Sequence, residues 1–362
     1  MSQASHKVLI AGASGVIGQA TLSRFEQAGW DLVALSRRPP RITRPDQVTH
    51  LAVDLTDSRA CADAIAAHPD ITHLAYCAVQ ESDDLRRGWK NPEQMQTNAR
   101  MLRNLVEPLL QAGGLRHVSL LQGTKAYGAH LHPIPIAARE SLPRDPHPNF
   151  YWLQEDYIRE VCAGKDLHFT IFRPQVVFGD VIGVAMNLIP VIGAYAALRK
   201  AEGRPFSFPG GPDYLLEAVD ARLVADALLW AAEAPTAADE IFNIANGDLF
   251  TWSSIWPELA AILEADRGEP EPCALARWFP EQAQAWERLA RTHHLRCADL
   301  SKLTGQSHHY ADFCFGYGAK TAIPPALVST IKLRQAGFQG CIGTQEMFRH
   351  AFTSMRDLGY LP

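Results

Sequence analysis

The chain has 362 residues, 47% of them hydrophobic and 20% charged, enough to bury a sizeable core and to divide into a nucleotide-binding part and a smaller attached one. A formal charge of −5 without a long like-charge run argues against nucleic acid or an anionic membrane surface as partner and leaves a small molecule. Seven cysteines without a Cys-x-x-Cys pair argue against a disulfide framework and a structural zinc site, and favour a reducing cytoplasm.

Residues 1–7 are short and polar and run directly into an apolar segment, so no signal peptide is expected. Strands are predicted at 8–11, 32–35, 51–53, 74–76, 118–121 and 169–172, alternating with amphipathic helices at 16–28, 60–67, 95–111 and 150–163. That alternation is the pattern of a Rossmann-type, doubly wound parallel sheet of the α/β class. Beyond about residue 180 the rhythm shifts to longer helices, such as 221–234 and 252–265, around a strand at 240–243, with a helical tail over 324–362. The expected organisation is a dinucleotide-binding domain over 1–180 and a smaller, mostly helical substrate-binding part over 181–362, whose elements are free to interleave with the first. The uncharged run 181–198 has about the length of a bilayer crossing, but Asn187, Pro190 and two glycines make a buried helix or pocket wall the better reading.

Gly12-Ala13-Ser14-Gly15-Val16-Ile17-Gly18 follows the first strand and opens the first helix. Gly12 suits the tight turn, Gly15 a close approach to a pyrophosphate, and Gly18 the packing of helix on strand, while Ser14 and the N–H groups of Val16 and Ile17 face the anion. Where an acid would hold a ribose 2′-hydroxyl, the second strand ends in Ser36-Arg37-Arg38, a donor set suited to a 2′-phosphate and hence to NADPH. Asp54 and Leu55 are placed to meet the adenine edge, and Tyr76, Cys77 and Ala78 the ribose and pyrophosphate path.

Tyr151 is followed four residues later by Glu155, where a short-chain reductase carries the lysine that lowers the phenol pKa and grips the nicotinamide ribose. A lysine is instead available as Lys125, in Gly123-Thr124-Lys125-Ala126-Tyr127 at the carboxyl end of the fifth strand. Asn98 sits inside an otherwise apolar helix, placed to brace the site, and Val176 and Val177 follow the sixth strand, where backbone groups would hold a carboxamide. His293-His294 and His308-His309 are adjacent pairs whose side chains point apart, with no further ligand at metal spacing, so no metal is expected.

With Asn149-Phe150-Tyr151-Trp152-Leu153-Gln154-Glu155-Asp156 and the Gly-x-Lys-x-Tyr loop, the chain resembles the progesterone 5β-reductase/iridoid synthase-like family of atypical extended short-chain reductases. The resemblance extends through Phe242-Asn243-Ile244-Ala245-Asn246-Gly247-Asp248 and the C-terminal segment. It departs at Ala126, where plant members carry histidine, at Trp152, where they often carry tyrosine, and at Val79, where they carry a bulky tryptophan. The resemblance implies NADPH-dependent 1,4-reduction of an α,β-unsaturated carbonyl, an enone, an enal or a Δ4-3-ketosteroid. Tyr151 would then donate to the developing enolate oxygen and Lys125 supply positive field. Val79, Met186, Phe313 and Phe315 are expected as apolar walls of the substrate pocket. A sugar-nucleotide epimerase or dehydratase is disfavoured by the missing Tyr-x-x-x-Lys pair, and a dinucleotide sensor without turnover is the second rival. Whether the chain forms a homodimer stays open.

Overall fold

The computed structural model describes residues 6–82 and 89–362, so positions 1–5 of the polar lead lie outside the described residues. Two compact units emerge, and the chain passes between them more than once: the first takes Met1–Gln175, Ala221–Ile244 and Val328–Gly340, the second Val176–Asp220, Ala245–Leu327 and Cys341–Pro362. A single cut near residue 180 therefore does not describe the path, because the sheet of the first unit needs a strand from beyond residue 239.

In the first unit that sheet has seven strands among the described residues, in the order β3-β2-β1-β4-β5-β6-β9. They are β1 (Lys7–Ala11), β2 (Asp31–Leu35), β3 (Val48–Leu51), β4 (His73–Tyr76), β5 (His117–Leu121), β6 (His168–Pro174) and β9 (Glu240–Ile244). Every pairing is parallel. Parallel strands are covered on both faces, which is why β1, β2 and β4 read as nearly continuous apolar runs. β3 is the exception, and the expected strand at 51–53 was displaced: it is an edge strand with only Val48 buried, so its hydrophobic pattern is weak, and the apolar run at its end leads out of the sheet.

The helices of this unit are α1 (Val16–Gln27), α2 (Ser58–Ala66), α3 (Pro92–Ala112), α4 (Phe150–Cys162), α6 (Ala221–Glu233) and α12 (Ile331–Gln335). Each of α2, α3 and α4 begins on an acid or amide cap, Asp57, Asn91 and Asn149, whose side chain accepts an N–H of the first turn. α1 packs along α6, and the pair is tied by the Arg24–Asp226 ion pair. Strand order reverses between β1 and β4, whose carboxyl ends lie side by side through the Cys77 N–H to Ala11 carbonyl bond of 2.9 Å. Ligands of open α/β sheets bind at such a switch point.

The second unit holds the short pair β7 (Val176–Phe178) and β8 (Ala218–Asp220) with α5 (Leu188–Ala201), α7 (Trp252–Ile262), α8 (Leu275–Glu281), α9 (Ala283–Thr292), α10 (Leu300–Thr304), α11 (Ser307–Cys314) and α13 (Thr344–Asp357). Its core is aromatic, with Phe206 stacked on Trp256 at 4.4 Å and Phe315 edge-on to Trp252 at 4.6 Å. The apolar run near 181–198 becomes α5, buried along most of its length in this core. No helix among the described residues is long and apolar enough to cross a membrane.

Candidate active site

At the switch point the glycine loop has the shape its sequence requires. Gly12 adopts φ +80°, and a Cβ there would meet the Ala78 backbone at 2.9 Å. Gly18 is more constrained, since a Cβ would fall 2.1 Å from the Gly12 carbonyl oxygen. Gly15 caps α1 without any side-chain bond, so the first N–H groups of the helix, at Val16 and Ile17, have no acceptor within it and remain half-exposed beside Ser14. A cradle of backbone donors walled by glycine is what a dinucleotide pyrophosphate needs, so these residues fit the group. Replacing Gly18 by alanine is expected to cost about 1–3 kcal/mol of stability through overpacking and to weaken cofactor binding, read by urea unfolding and by cofactor titration.

Arg37 and Arg38 stand exposed after β2, where Ser36 is buried and its hydroxyl donates to the Arg38 carbonyl at 2.6 Å. Asp54 lies in the turn after β3, its carboxylate accepting from the Thr56 N–H at 2.9 Å and hydroxyl at 2.8 Å. Those bonds hold its pKa below the ordinary value, with Arg37 adding to the effect. Leu55 is buried, and its carbonyl accepts from Asn104. One expected contact is corrected. The Tyr76 ring is buried among core side chains on a face of the sheet, so only the backbone at β4's end, with Cys77 and Ala78, reaches the switch point. Asn98 is fully buried and turned inward: its side chain accepts from the Gln80 N–H at 2.8 Å and donates to the Gln80 carbonyl at 2.9 Å, clamping the segment after β4.

Lys125 lies on a 3-10 turn, Thr124–Tyr127, that follows β5. The turn is anchored by buried Ala126 and by the Tyr127 hydroxyl, which donates to Asn243 of β9 at 2.6 Å. Tyr151 opens α4, and Asn149 joins the two motifs: its side-chain oxygen accepts the Tyr151 N–H at 3.0 Å and its amide donates to the Lys125 carbonyl at 3.3 Å. The Tyr151 hydroxyl lies 3.4 Å from where a Gly123 Cβ would stand, so the loop glycine makes room for the phenol. Both side chains meet Trp89. The Lys125 Nζ is 3.5 Å from the indole centroid, and the Tyr151 ring packs edge-on at 5.3 Å.

Burial pushes the Tyr151 phenol pKa up, Glu81 pushes it further, and Arg173 opposes them only in part. The phenol is thereby kept as a donor. Glu81 is itself raised by burial, against the pull of Lys125.

Glu155, one turn beyond Tyr151, is buried at the centre of a cationic cluster. It meets Arg144 at 2.9 Å, Arg159 at 3.1 Å, Arg173 at 3.6 Å and the Gln122 amide at 3.1 Å. Burial works to raise its pKa, but Arg144, Gln122 and Arg173 outweigh that and hold it low. Arg173 in turn donates to Gln122 at 2.8 Å. The position that usually carries the lysine is thus a structural anchor of α4.

Val176 and Val177 lie half-buried on β7 of the second unit, and Met186 is half-buried just before α5. Val79 is 44% exposed after β4, and Phe313 is exposed and stacked on Tyr310. Phe315 is not a pocket wall: its ring is enclosed by Phe208, Trp252 and Trp256 in the aromatic core. Sequence reasoning missed Trp89, Glu81, Gln122 and Arg173. Gln122 and Arg173 flank the named motifs and were open to notice, whereas nothing near Trp89 in sequence marks it.

A parallel sheet reversing at a glycine-walled turn is the dinucleotide-binding architecture of the extended short-chain type. The chain matches the NAD dependent epimerase/dehydratase family over residues 8–245. It is 28% identical to the (S)-8-oxocitronellyl enol synthase of Catharanthus roseus over 98% of this chain and 92% of that one. It is 29% identical to the 3-oxo-Delta(4,5)-steroid 5-beta-reductase of Arabidopsis thaliana over 82% and 79%. Among solved structures, the UDP-glucose 4-epimerase of Thermotoga maritima superposes with a TM-score of 0.69 at 16% identity, covering 97% of this chain and 99% of that one, a likeness of fold alone. The chain belongs to the NAD dependent epimerase/dehydratase family and, within it, to the progesterone 5β-reductase/iridoid synthase-like group.

Proposed function

We propose that this protein is an NADPH-dependent reductase of the C=C bond of α,β-unsaturated carbonyls of moderate size. The observation that carries the reading is the meeting of Lys125 and a protonated, buried Tyr151 at Trp89, with Glu155 committed to arginines. The cofactor, when bound, supplies the hydride. Gly12, Ser14, Gly15, Val16, Ile17 and Gly18 would hold its pyrophosphate, Ser36, Arg37 and Arg38 its 2′-phosphate, Asp54 and Leu55 the adenine, and the backbone of Cys77 and Ala78, with Gly123, the inner path.

Saturation of an enone by 1,4-addition gathers negative charge on the carbonyl oxygen, which demands a preorganised donor and a nearby cation more than a fast proton relay. Tyr151 donates its hydroxyl to that oxygen. Lys125 lends its positive charge through a half-buried, weakly screened space, where the same charge counts for more than in water. The substrate's α-carbon takes its proton from solvent.

The test is oxidation of NADPH and NADH across a panel from 2-cyclohexenone through an unsaturated aldehyde to progesterone, with product analysis to separate C=C from C=O reduction. NADPH-linked alkene saturation is expected. Changing both Arg37 and Arg38 to alanine should raise the KM for NADPH by about a hundredfold and leave that for NADH nearly unchanged, since two charge-assisted bonds are lost. Cofactor binding without turnover of any member would overturn the reading in favour of a sensor.

A further inference from the structure

The direction of the Asn149 amide is fixed by what it meets. Its oxygen accepts the Tyr151 N–H at 3.0 Å, and its nitrogen lies 3.3 Å from the Lys125 carbonyl oxygen. Turned round, it would set oxygen against a carbonyl and NH2 against an N–H. The nitrogen has a second neighbour, Nε2 of His147 at 3.1 Å. An amide NH2 has two hydrogens and nothing to accept with, so one hydrogen goes to the carbonyl and the other to the imidazole, whose Nε2 must present a lone pair. The ring proton of neutral His147 is therefore on Nδ1, where it faces the Asp145 carboxylate at 2.6 Å. Asp145 gives its other oxygen to Nε2 of His132, also at 2.6 Å. The same carboxylate borders the far end of the Lys125 turn. Gly128 caps that turn at φ +77°, its N–H donating to the Lys125 carbonyl at 3.1 Å, and a Cβ on it would fall 2.6 Å from Asp145 and 2.5 Å from the His132 ring. His147 is held firmly: its side chain is 10% exposed, the His130 ring lies edge-on at 4.9 Å, and Trp152 of α4 donates its indole N–H to the His147 carbonyl at 3.3 Å. Pro146 and Pro148 on either side narrow its backbone freedom.

We propose that His147 is a positioning residue for the Lys125–Tyr151 pair, and a proton-controlled one. Neutral, with Asp145 holding the proton on Nδ1, it accepts from Asn149 and locks the amide that ties the two motifs together. Protonated at Nε2, it confronts that NH2 with a second donor and releases it. This rests on the reading of Lys125 and Tyr151 as the carbonyl-binding pair. A donor facing a donor leaves Asn149 two escapes, to draw away or to turn round, and either one gives up its bonds to the Tyr151 N–H and the Lys125 carbonyl. The groups that face the His147 ring are Asp145 and His130 from its own connecting segment and the Trp152 ring, 6.4 Å away, from α4. Burial works to raise the pKa of Asp145, but the bonds from His147 and His132 outweigh that and hold it low. Burial, and after it His147, Lys125 and Lys90, push the His130 pKa down to about 4 against the pull of Asp145, so that ring is neutral where His147 works.

The experiment compares four proteins: the wild type, His147→Phe, which keeps a ring and removes the acceptor, Asp145→Asn, which keeps the shape and releases the tautomer, and His147→Gln, whose amide oxygen accepts at any pH. Single-turnover reduction of 2-cyclohexenone with bound NADPH is followed from about pH 8 to about pH 5, the range in which histidine takes up its second proton. Hydrogen exchange of the Tyr151 backbone N–H is read in parallel with NADP+ bound. At about pH 8, His147→Phe and Asp145→Asn should each lower the rate about tenfold and speed the exchange about tenfold, the effect of one lost hydrogen bond, with NADPH affinity within about twofold. His147→Gln should recover most of the rate and lack the fall toward acid pH that the wild type shows, whereas a merely structural histidine predicts the same acid limb in every folded variant. If His147→Phe does not fold, Asp145→Asn carries the same test. An acid limb unchanged in His147→Gln, or wild-type exchange of the Tyr151 N–H in Asp145→Asn, overturns the positioning role, and with 2-cyclohexenone reduced the reductase reading stands. Absence of turnover in all four proteins, with exchange faster in Asp145→Asn and restored in His147→Gln, upholds His147 as the lock on Asn149 and overturns the reductase reading instead.

Discussion

Lys125→Met is expected to lower kcat for enone reduction by about 10²–10³-fold, the usual effect of deleting one preorganised charge or donor at a developing oxyanion. Methionine keeps the unbranched stem over Trp89 and removes only the charge, so the 3-10 turn held by Ala126 and Tyr127 should survive. The loss of the contact between ammonium and indole costs on the order of 1 kcal/mol of stability, too little to unfold the protein. NADPH affinity should stay within about twofold, because phosphate recognition lies with the backbone donors after Gly12 and with Arg37 and Arg38 rather than with Lys125. Single-turnover rates with bound cofactor, read beside a cofactor titration, separate the two quantities. An unchanged rate removes Lys125 from the mechanism.

The second large effect concerns Glu155. Changing it to lysine would recreate the usual spacing from Tyr151, yet the outcome should be loss of stability by about 3–5 kcal/mol and no gain of carbonyl reduction. The carboxylate is buried between Arg144, Arg159 and Arg173, so the new ammonium would be a fourth cation with no partner. Glu155→Gln retains the shape and the bond to Gln122 and should cost less. Urea unfolding of the two variants reads the difference directly, and a stable, folded Glu155→Lys protein would show that the cluster is not an anchor. The sign of the pH dependence follows from the same arrangement. Glu155 has a lowered pKa in the folded state, so its contribution is present above the unfolded carboxylate pKa and is lost as pH falls through the folded value.

The sheet was legible because parallel strands buried on both faces leave unbroken apolar runs, and because the turn after β1 must be rich in glycine for steric reasons visible in any sequence. β3 was misplaced by the same logic, since an edge strand has no such run. The site was half legible. Lys125, Tyr151 and Asn149 sit in motifs whose spacing carries chemistry, whereas Trp89 and Glu81 reach the site from a connecting segment where neither period nor spacing constrains them. Tyr76 and Phe315 show the opposite error. An aromatic residue near a strand end or in a pocket-like region is as well suited to a core as to a ligand, and only tertiary packing separates the uses. Asn98, read from its place in an apolar helix as a brace, holds the segment that carries Glu81 through the Gln80 backbone.

The return of β9 and α6 to the first unit bears on how the protein is made. A ribosome that has delivered everything through β6 has completed the glycine turn, Lys125 and Tyr151, but not the strand that pairs with β6 or the helix that covers α1. Until β9 emerges, β6 is a bare edge and Asn243, which holds the Lys125 turn through Tyr127, does not yet exist for it to bind. At typical elongation rates that interval lasts on the order of several seconds. The nascent chain therefore spends it with an apolar helix face and an open strand exposed, and the Lys125 turn sets only after part of the second unit has begun to leave the tunnel.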